Sequence, residues 1–280
     1  MNRESLLRAA ARIPLIGPTL LMAPRALIAA RYFRGQTANV ARWLIRSREL
    51  ANFTYDLTEL NQRYLAAMIS GVTRQPIAQI EVYIREIQQD DALRAHVRKA
   101  SEMSTEAGVT DSHRVDFGRR IGWYAVVRAL KPKVVIETGV DKGLGACVLC
   151  AALLHNADDG KPGHYYGTDI NPLAGYLLRG PYETVGTMLY GDSVATLQHF
   201  DRLIDVFIND SDHSADYERL EYQTIQSKLA EGAIVLGDNS HESSALYDFA
   251  AATGRQFTFF SEKPANHWYP GAGIGIAYAT

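Results

Sequence analysis

Acidic, amide and imidazole side chains follow the ends of two short apolar segments in the C-terminal half of the sequence. Asp210 and His213 follow the first segment, and Asp238 and Asn239 follow the second. Acids that lie close together repel one another unless a cation or a basic group sits among them. Oxygen ligands of this kind suit Mg²⁺, which keeps some waters and accepts substrate oxygens. We predict a magnesium site formed by Asp210, Asp238 and Asn239, with helix capping by these loop residues as the alternative.

A metal ion at this position would bind an acceptor hydroxyl group and lower its pKa. The unperturbed imidazole of a histidine has a pKa near ~6.5, so His213 is suited to take up the hydroxyl proton. Asp210 and His213 are therefore the predicted catalytic residues.

A glycine-rich turn follows another apolar segment, residues 134–136, and precedes an apolar segment compatible with a helix. This turn contains Glu137, Gly139 and Gly143. Glycines let a ligand approach the backbone and allow positive φ. The spacing matches neither the dinucleotide pattern G-x-G-x-x-G nor the G-x-x-x-x-G-K-[ST] phosphate loop. This argues against a nicotinamide enzyme and against a nucleotide hydrolase.

Three more polar residues follow the next two apolar segments. Asp169 lies 32 residues after Glu137, where an acid in a doubly wound fold accepts hydrogen bonds from ribose hydroxyls. Asp192 and Ser193 are candidates for contacts with an adenine ring. Capping of the following helix is the alternative for all three residues.

These residues need a sheet whose strand ends share one edge. From residue 117 onward strand-like and helical segments alternate, and each of the first five predicted strands delivers an acid at or just after its end. In open α/β sheets that edge binds ligands. We predict an α/β fold, a Rossmann-like doubly wound sheet of about seven strands. The predicted strands are 134–136, 164–168, 187–190, 204–208, 233–236, 257–260 and 274–278.

The N-terminal part of the chain has a different pattern. Residues 37–105 show apolar residues at helical spacing without strand alternation. We therefore predict a helical extension over residues 1–106, which builds an acceptor pocket or a dimer surface, and a second domain over residues 107–280. The linker between them is expected at residues 107–113.

Charge is distributed unevenly along the sequence. Residues 1–50 carry nine Arg and two Glu, a local charge of +7, within a chain of net charge −2. Residues 1–34 are expected either to contact an anionic membrane surface peripherally or to pack as a helical arm on the domain or on a second subunit. Pro14, Pro18 and Pro24 disfavour a signal peptide, because they interrupt its helical segment.

Overall composition restricts the compartment and the class of partner. A hydrophobic fraction of 47% and a charged fraction of 21% suit a globular protein with an ample core. The near-neutral net charge and the lack of an aromatic-basic platform argue against nucleic acid as a partner. Cys147 and Cys150 are flanked by apolar residues and are predicted to be buried, so a reducing cytoplasm is the expected compartment.

Four motifs, in order, resemble the class I S-adenosylmethionine-dependent O-methyltransferases, most of all the cation-dependent branch typified by caffeoyl-coenzyme A and catechol O-methyltransferases. They are Glu137-Thr-Gly-Val-Asp-Lys-Gly143, Tyr166-Gly-Thr-Asp-Ile-Asn171, Asp205-Val-Phe-Ile-Asn-Asp-Ser-Asp212 and Gly232-Ala-Ile-Val-Leu-Gly-Asp-Asn239. The resemblance implies that Glu137, Gly139 and Asp169 hold the methyl donor. It implies that Asp210, Asp238 and Asn239 hold the metal ion.

One position departs from that branch, because the family's Lys after the D-x-D segment is His213 here. An Asp followed by a His three residues later is also similar to the macrolide-sugar, or macrocin-type, O-methyltransferases, where that His is the proposed base. The first 105 residues match neither group, so the resemblance does not supply the methyl acceptor.

The resemblance predicts that S-adenosylmethionine donates a methyl group to a hydroxyl of a small molecule, with help from Mg²⁺ and His213. One alternative is metal-independent methylation of a lipophilic carboxylic acid, since a carboxylate is already ionised near neutral pH and needs no base. The other alternative is a non-catalytic module that only binds a partner. Enzymes of this kind are commonly homodimers, so a dimer is also an expectation.

Overall fold

A computed structural model describes residues 3–14, 17–47, 49, 53–103 and 115–279 of the chain. The chain divides into two compact units: Met1–Ser47 with Asn266–Trp268, and Arg48–Ala265 with Tyr269–Thr280. The predicted linker at residues 107–113 lies outside the described residues. The boundary between residues 106 and 107 therefore stays a prediction.

Seven strands form the sheet of the larger unit, in the order β3-β2-β1-β4-β5-β7-β6. The first five strands are parallel, and β7 runs antiparallel to both of its neighbours, β5 and β6. The predicted doubly wound α/β sheet of about seven strands is thus confirmed. The strands are β1 (Val134–Thr138), β2 (His164–Asp169), β3 (Gly186–Tyr190), β4 (Ile204–Asn209), β5 (Leu229–Asp238), β6 (Gln256–Ser261) and β7 (Gly273–Tyr278).

Helices cover both faces of the sheet, which explains why its central strands are apolar on both sides. Every residue of β1 is buried. Val135 packs into a core shared with the helices on one face, whereas Ile136 packs into a second core on the other face. The sheet helices are α7 (Arg120–Leu130), α8 (Leu144–Asp158), α9 (Ser193–His199), α10 (Ala215–Ile225) and α11 (Ala245–Ala252).

Three helices from the predicted N-terminal extension join the larger unit. They are α4 (Glu59–Thr73), α5 (Ile77–Gln88) and α6 (Asp91–Met103). Helices α4 and α5 pack on α7, and α6 contacts α8. Their buried apolar residues, among them Leu65, Ile80 and Leu93, belong to the same core as Val135. These helices therefore extend the core on one face of the sheet.

The smaller unit contains α1 (Arg3–Ala11), α2 (Gly17–Leu20) and α3 (Met22–Arg46). The sequence predicts a helix over residues 38–50, but α3 already begins at Met22. Pro24 does not prevent this early start, because it falls in the first turn of the helix, where proline is tolerated. Helix α3 has five Arg, no acid and no buried residue. Trp43 packs against Trp268 with ring centroids 5.2 Å apart.

Among the described helices, none has the length and apolar character needed to cross a membrane. Large apolar side chains of α3 are exposed, including Leu27, Tyr32 and Phe33. Peripheral contact of this segment with a membrane surface stays a prediction.

Candidate active site at the strand ends

Two cavities lie at the carboxyl edge of the parallel strands. Cavity A, of about 480 Å³, is lined by Gly139, Asp141, Thr168, Asp169, Ile170, Asn171, Gly191, Asp192, Ser193, Asp210, Ser211, Asp212 and Tyr217. Cavity B, of about 260 Å³, lies beside it and is bordered by α6, by the start of α7 and by the aromatic residues Phe53, Tyr55 and Tyr269. Gly139, Asp141 and Asp210 line both cavities. The two cavities therefore adjoin at these three residues.

The glycine turn brings three strand ends together. Gly139 donates a backbone hydrogen bond of 2.9 Å to Thr168, and the Asp210 amide donates one of 3.0 Å to Thr138. Gly139 has φ of 77°, and a Cβ atom there would overlap the Asp210 carbonyl oxygen. Only glycine allows the ends of β1, β2 and β4 to approach this closely.

Asp169 connects the end of β2 to the glycine turn. Its two carboxylate oxygens accept hydrogen bonds from the backbone amides of Asp141, at 2.9 Å, and Asn171, at 2.8 Å. The helix expected after Asp169 is absent, because residues 172–177 form turns. Asp169 therefore caps no helix there, and its carboxylate lines cavity A.

Asp192 and Ser193 line cavity A but also serve the local structure. Asp192 caps α9 by accepting a 2.8 Å hydrogen bond from the Ala195 amide, and it accepts another of 2.7 Å from the Tyr217 hydroxyl. Ser193 is 6% exposed and donates a hydrogen bond to Glu221. The capping alternative is thus confirmed for Asp192, alongside its position in the cavity wall.

Two predicted donor-binding residues, Glu137 and Gly143, are not among the residues lining either cavity. Glu137 is 1% exposed and lies beneath the glycine turn, where it accepts a hydrogen bond from the Tyr165 hydroxyl. Burial raises the pKa of Glu137 to about 7, although the Tyr165 hydrogen bond partly opposes this rise. Gly143 has φ of 98° and precedes the first residue of α8.

A buried carboxylate supports the floor of cavity A from below. Glu221, on α10, accepts hydrogen bonds from side chains at the ends of three strands or the loops after them. These donors are Thr138, Ser193, Asn209 and Ser211. Burial raises the pKa of Glu221 to about 7, against the lowering effect of these hydrogen bonds.

The predicted catalytic and metal-binding residues do come together. Single ligand atoms of Asp210, His213 and Asp238 lie within 4.8 Å of one another. His213 Nε2 is 3.8 Å from an Asp210 oxygen and 3.1 Å from the Asn239 amide nitrogen. His213 itself is not among the residues lining either cavity, whereas Asp210 lines both.

The other ring nitrogen of His213 faces a second acid. His213 Nδ1 is 3.5 Å from Glu218 Oε1, and Glu218 is 2% exposed. The nearby Glu218 carboxylate raises the pKa of His213, although partial burial opposes the rise. This contact orients the ring so that Nε2 is directed toward Asp210 and Asn239.

Arg119 occupies the position beside Asp238 where a cation was expected. It donates hydrogen bonds from Nε and Nη2 to the two carboxylate oxygens of Asp238, whose side chain is fully buried. Its Nη1 atom is 3.7 Å from Glu262, which accepts a 2.8 Å hydrogen bond from the Tyr55 hydroxyl. Burial works against ionisation of Asp238, but the charge of Arg119 outweighs burial and keeps the pKa of Asp238 below its ordinary value. Burial, together with the neighbouring Asp238 charge, raises the pKa of Asp210.

The expected magnesium ligands therefore fit a divalent ion poorly in this arrangement. Mg²⁺ needs open oxygen ligands in near-octahedral geometry. Both oxygens of Asp238 are engaged by Arg119, and the amide nitrogen of Asn239 faces His213. The Arg119 guanidinium already supplies positive charge beside Asp238 and Glu262.

Sequence reasoning missed four residues of the site: Arg119, Arg120, Tyr55 and Glu262. The available signal was the pair Arg119 and Arg120 at the start of α7. A buried apolar helix places two charges only where buried acids or a ligand can meet them. Nothing local connects Arg119 to Asp238, 119 residues away in the chain.

Comparison with known proteins agrees with this architecture. Residues 136–240 match the model of a family described as a methyltransferase domain. A search of curated proteins finds no significant match. The fold is similar to that of an O-methyltransferase from Bacillus cereus in complex with SAH, with 13% identity and a TM-score of 0.52 over 68% of this chain and 92% of that one. A proposed O-methyltransferase from Klebsiella pneumoniae gives 14% identity and a TM-score of 0.53 over 72% and 96%. The chain thus has a Rossmann-like methyltransferase fold.

Proposed function

We propose that this protein is an S-adenosylmethionine-dependent methyltransferase that acts on an oxygen atom of a small molecule. The observation that carries the proposal is the meeting of two cavities at Gly139, Asp141 and Asp210. A donor bound in cavity A would present its methyl group to an acceptor in cavity B. The match of residues 136–240 to a methyltransferase domain supports this assignment.

In this proposal the donor is bound mainly by the β1–β3 side. Asp169 accepts the ribose hydroxyls, because its carboxylate lines cavity A and is held in place by two backbone amides. Asp192 and Ser193 lie beside the adenine. Gly139 leaves room for the donor against the backbone. Glu137 acts from beneath the glycine turn, where it accepts the hydrogen bond of the Tyr165 hydroxyl.

Catalysis would consist mainly of aligning the acceptor oxygen, the methyl carbon and the donor sulfur. The oxygen forms a bond to the methyl carbon, the carbon–sulfur bond breaks, and its electron pair neutralises the sulfonium. For a hydroxyl acceptor the proton passes first to the Asp210 carboxylate, which lines both cavities. Asp210 then passes it to the neutral imidazole of His213, whose Nε2 atom is 3.8 Å away, and Glu218 stabilises the imidazolium that forms.

A carboxylate acceptor is the second candidate, and a specific observation favours it. Arg98, Arg119 and Arg120 all line cavity B, together with apolar and aromatic residues. Such a wall suits an acid with an apolar body. A carboxylate is ionised near neutral pH, so this reaction would not need a base.

The test is calorimetric titration of S-adenosylhomocysteine into the wild type, Asp169→Ala and Asp158→Ala, each with EDTA and with added Mg²⁺. Asp158 is an exposed acid at the end of α8 and serves as the matched control. We expect binding by the wild type and the control, and loss of binding in Asp169→Ala. Binding by none of the three proteins would leave only the non-catalytic module. Equal affinity with EDTA and with Mg²⁺ would argue that donor binding does not depend on a metal ion.

A further inference from the structure

Two neighbouring guanidinium groups in cavity B have different surroundings. Arg119 is bound to Asp238 and lies beside Glu262. The guanidinium group of Arg120 forms no hydrogen bond or ion pair with any residue that the structure describes, and its Nε atom is buried without a partner. Its described contact is with the ring of Trp123, at 5.4 Å from the guanidinium carbon to the centroid. Arg120 therefore has hydrogen-bond donors available at the cavity wall.

An unpaired buried N–H group costs free energy, because water can no longer satisfy it. Asp210 and Asp238 lie within electrostatic range of the Arg120 guanidinium. Attraction at this range does not satisfy the N–H donors, which need an acceptor at close range. A guanidinium presents its donors as a planar fork that matches the two oxygens of a carboxylate.

The rest of the cavity wall indicates what carries that carboxylate. Phe53, Tyr55 and Tyr269 line cavity B from one side, and Val97, Val115, Leu144 and Leu177 line it as well. These side chains suit an apolar or aromatic body rather than a strongly polar one.

We propose that Arg120 binds the carboxylate group of a ligand in cavity B. This inference rests on the proposed function, which supplies two sources of such a group: the amino-acid end of the methyl donor, and an acceptor that is itself a carboxylic acid. Arg119 already forms ion pairs with Asp238 and Glu262. Of the two arginines at the start of α7, Arg120 is therefore the one whose guanidinium can bind a ligand.

The test compares Arg120→Met and Arg120→Lys with the wild type. Arg85→Met is the matched control, because Arg85 is an exposed arginine of α5 that lines neither cavity. One pair of probes is S-adenosylhomocysteine and 5′-methylthioadenosine, which lacks the amino-acid carboxylate. The other pair is benzoate and the neutral benzamide, titrated in the presence of 5′-methylthioadenosine. Circular dichroism checks folding, and Arg120→Lys keeps the charge if Arg120→Met does not fold.

We expect Arg120→Met to weaken one carboxylate probe at least about tenfold and to leave its neutral analogue unchanged, as for a lost charged hydrogen bond. Loss of S-adenosylhomocysteine affinity identifies the donor as the source of the carboxylate, and loss of benzoate affinity identifies the acceptor. Arg120→Lys should lose less than Arg120→Met, since it keeps the charge but not the fork.

Two results would overturn the proposal. The first is unchanged affinity of both Arg120 variants for S-adenosylhomocysteine and for benzoate, including the case in which the wild type does not distinguish benzoate from benzamide. The second is an equal loss for charged and neutral probes, which marks a structural role. Failure of the wild type to bind either adenosine compound would reject the proposed function instead, and benzoate titrated alone would still test Arg120.

Discussion

The β1–β3 side of the site and the β4–β5 side hold their acids in different ways. In cavity A, Asp169 and Asp192 accept hydrogen bonds from backbone amides within a few residues or at the neighbouring strand end. On the other side, Asp238 is fully buried and is neutralised by Arg119, which arrives from a distant part of the chain. One side is built by local backbone geometry, and the other by long-range ion pairing.

This difference separates binding from stability. An acid that backbone amides hold at a cavity wall can be replaced by a neutral residue with little loss of stability, but the protein then loses affinity for the ligand. A buried ion pair that loses one partner leaves an uncompensated charge, which is strongly destabilising. Substitutions on the two sides should therefore have opposite signatures.

The largest expected effect is on the β4–β5 side. Arg119→Met should lower the free energy of unfolding by about 3–5 kcal/mol, because Asp238 and Glu262 lose their buried counter-charge. Urea denaturation measures the change. Arg219→Met is the control, since its ion pair with Asp216 is exposed and should contribute less than about 1 kcal/mol. Similar losses in both variants would contradict the comparison.

At the junction of the two sides, Gly139→Ala should reduce both stability and donor binding. The left-handed backbone costs about 1–2 kcal/mol for a non-glycine residue, and overlap with the Asp210 carbonyl adds about 1–3 kcal/mol. Gly160→Ala shares the positive φ, at 74°, but has no atom near the added Cβ. It should show only the first cost and normal titration with S-adenosylhomocysteine. Normal S-adenosylhomocysteine binding by Gly139→Ala would show that the donor does not lie against this glycine.

On the β1–β3 side, Asp169→Asn should weaken S-adenosylhomocysteine binding by about 10- to 150-fold, the loss expected for a charged hydrogen bond worth ~1.5–3 kcal/mol. Its unfolding free energy should change much less than that of Arg119→Met. Calorimetry and urea denaturation of the same preparations test both halves of this prediction. A large loss of stability with normal binding would reverse the assignment of the two sides.

A separate prediction concerns the pH dependence of stability. Glu137 has a folded-state pKa raised to about 7 by burial, against an ordinary value of 4.5. Its contribution is fully present below the ordinary value and is lost as pH rises through about 7, because the unfolded chain gives up its proton first. Compared with Glu137→Gln, the wild type should lose stability between pH 5 and pH 8. Parallel urea midpoints across this range would mean that Glu137 does not titrate there.

The sequence by itself determined the parallel strands, the glycine turn and the acids at the strand ends. These features depend on short apolar segments and on neighbouring residues, so a local pattern carries them. The sequence predicted the boundaries of helices and strands less well where local signals were ambiguous. Pro24 suggests an interruption of a helical segment, but it lies in the first turn of α3. Strand β5 begins at Leu229, before its apolar segment, because Leu229 pairs with Ile204.

Only the tertiary structure decided which charges meet. It placed Arg119 on Asp238, Glu137 beneath the turn instead of in the cavity wall, and Glu221 under the ends of several strands. Arg119 meets Asp238 from 119 residues away and Glu221 meets Thr138 from 83 residues away, and burial strengthens both contacts because water no longer competes for the charge. A sequence pattern records which residues can ionise, whereas the fold determines which counter-charge each one finds.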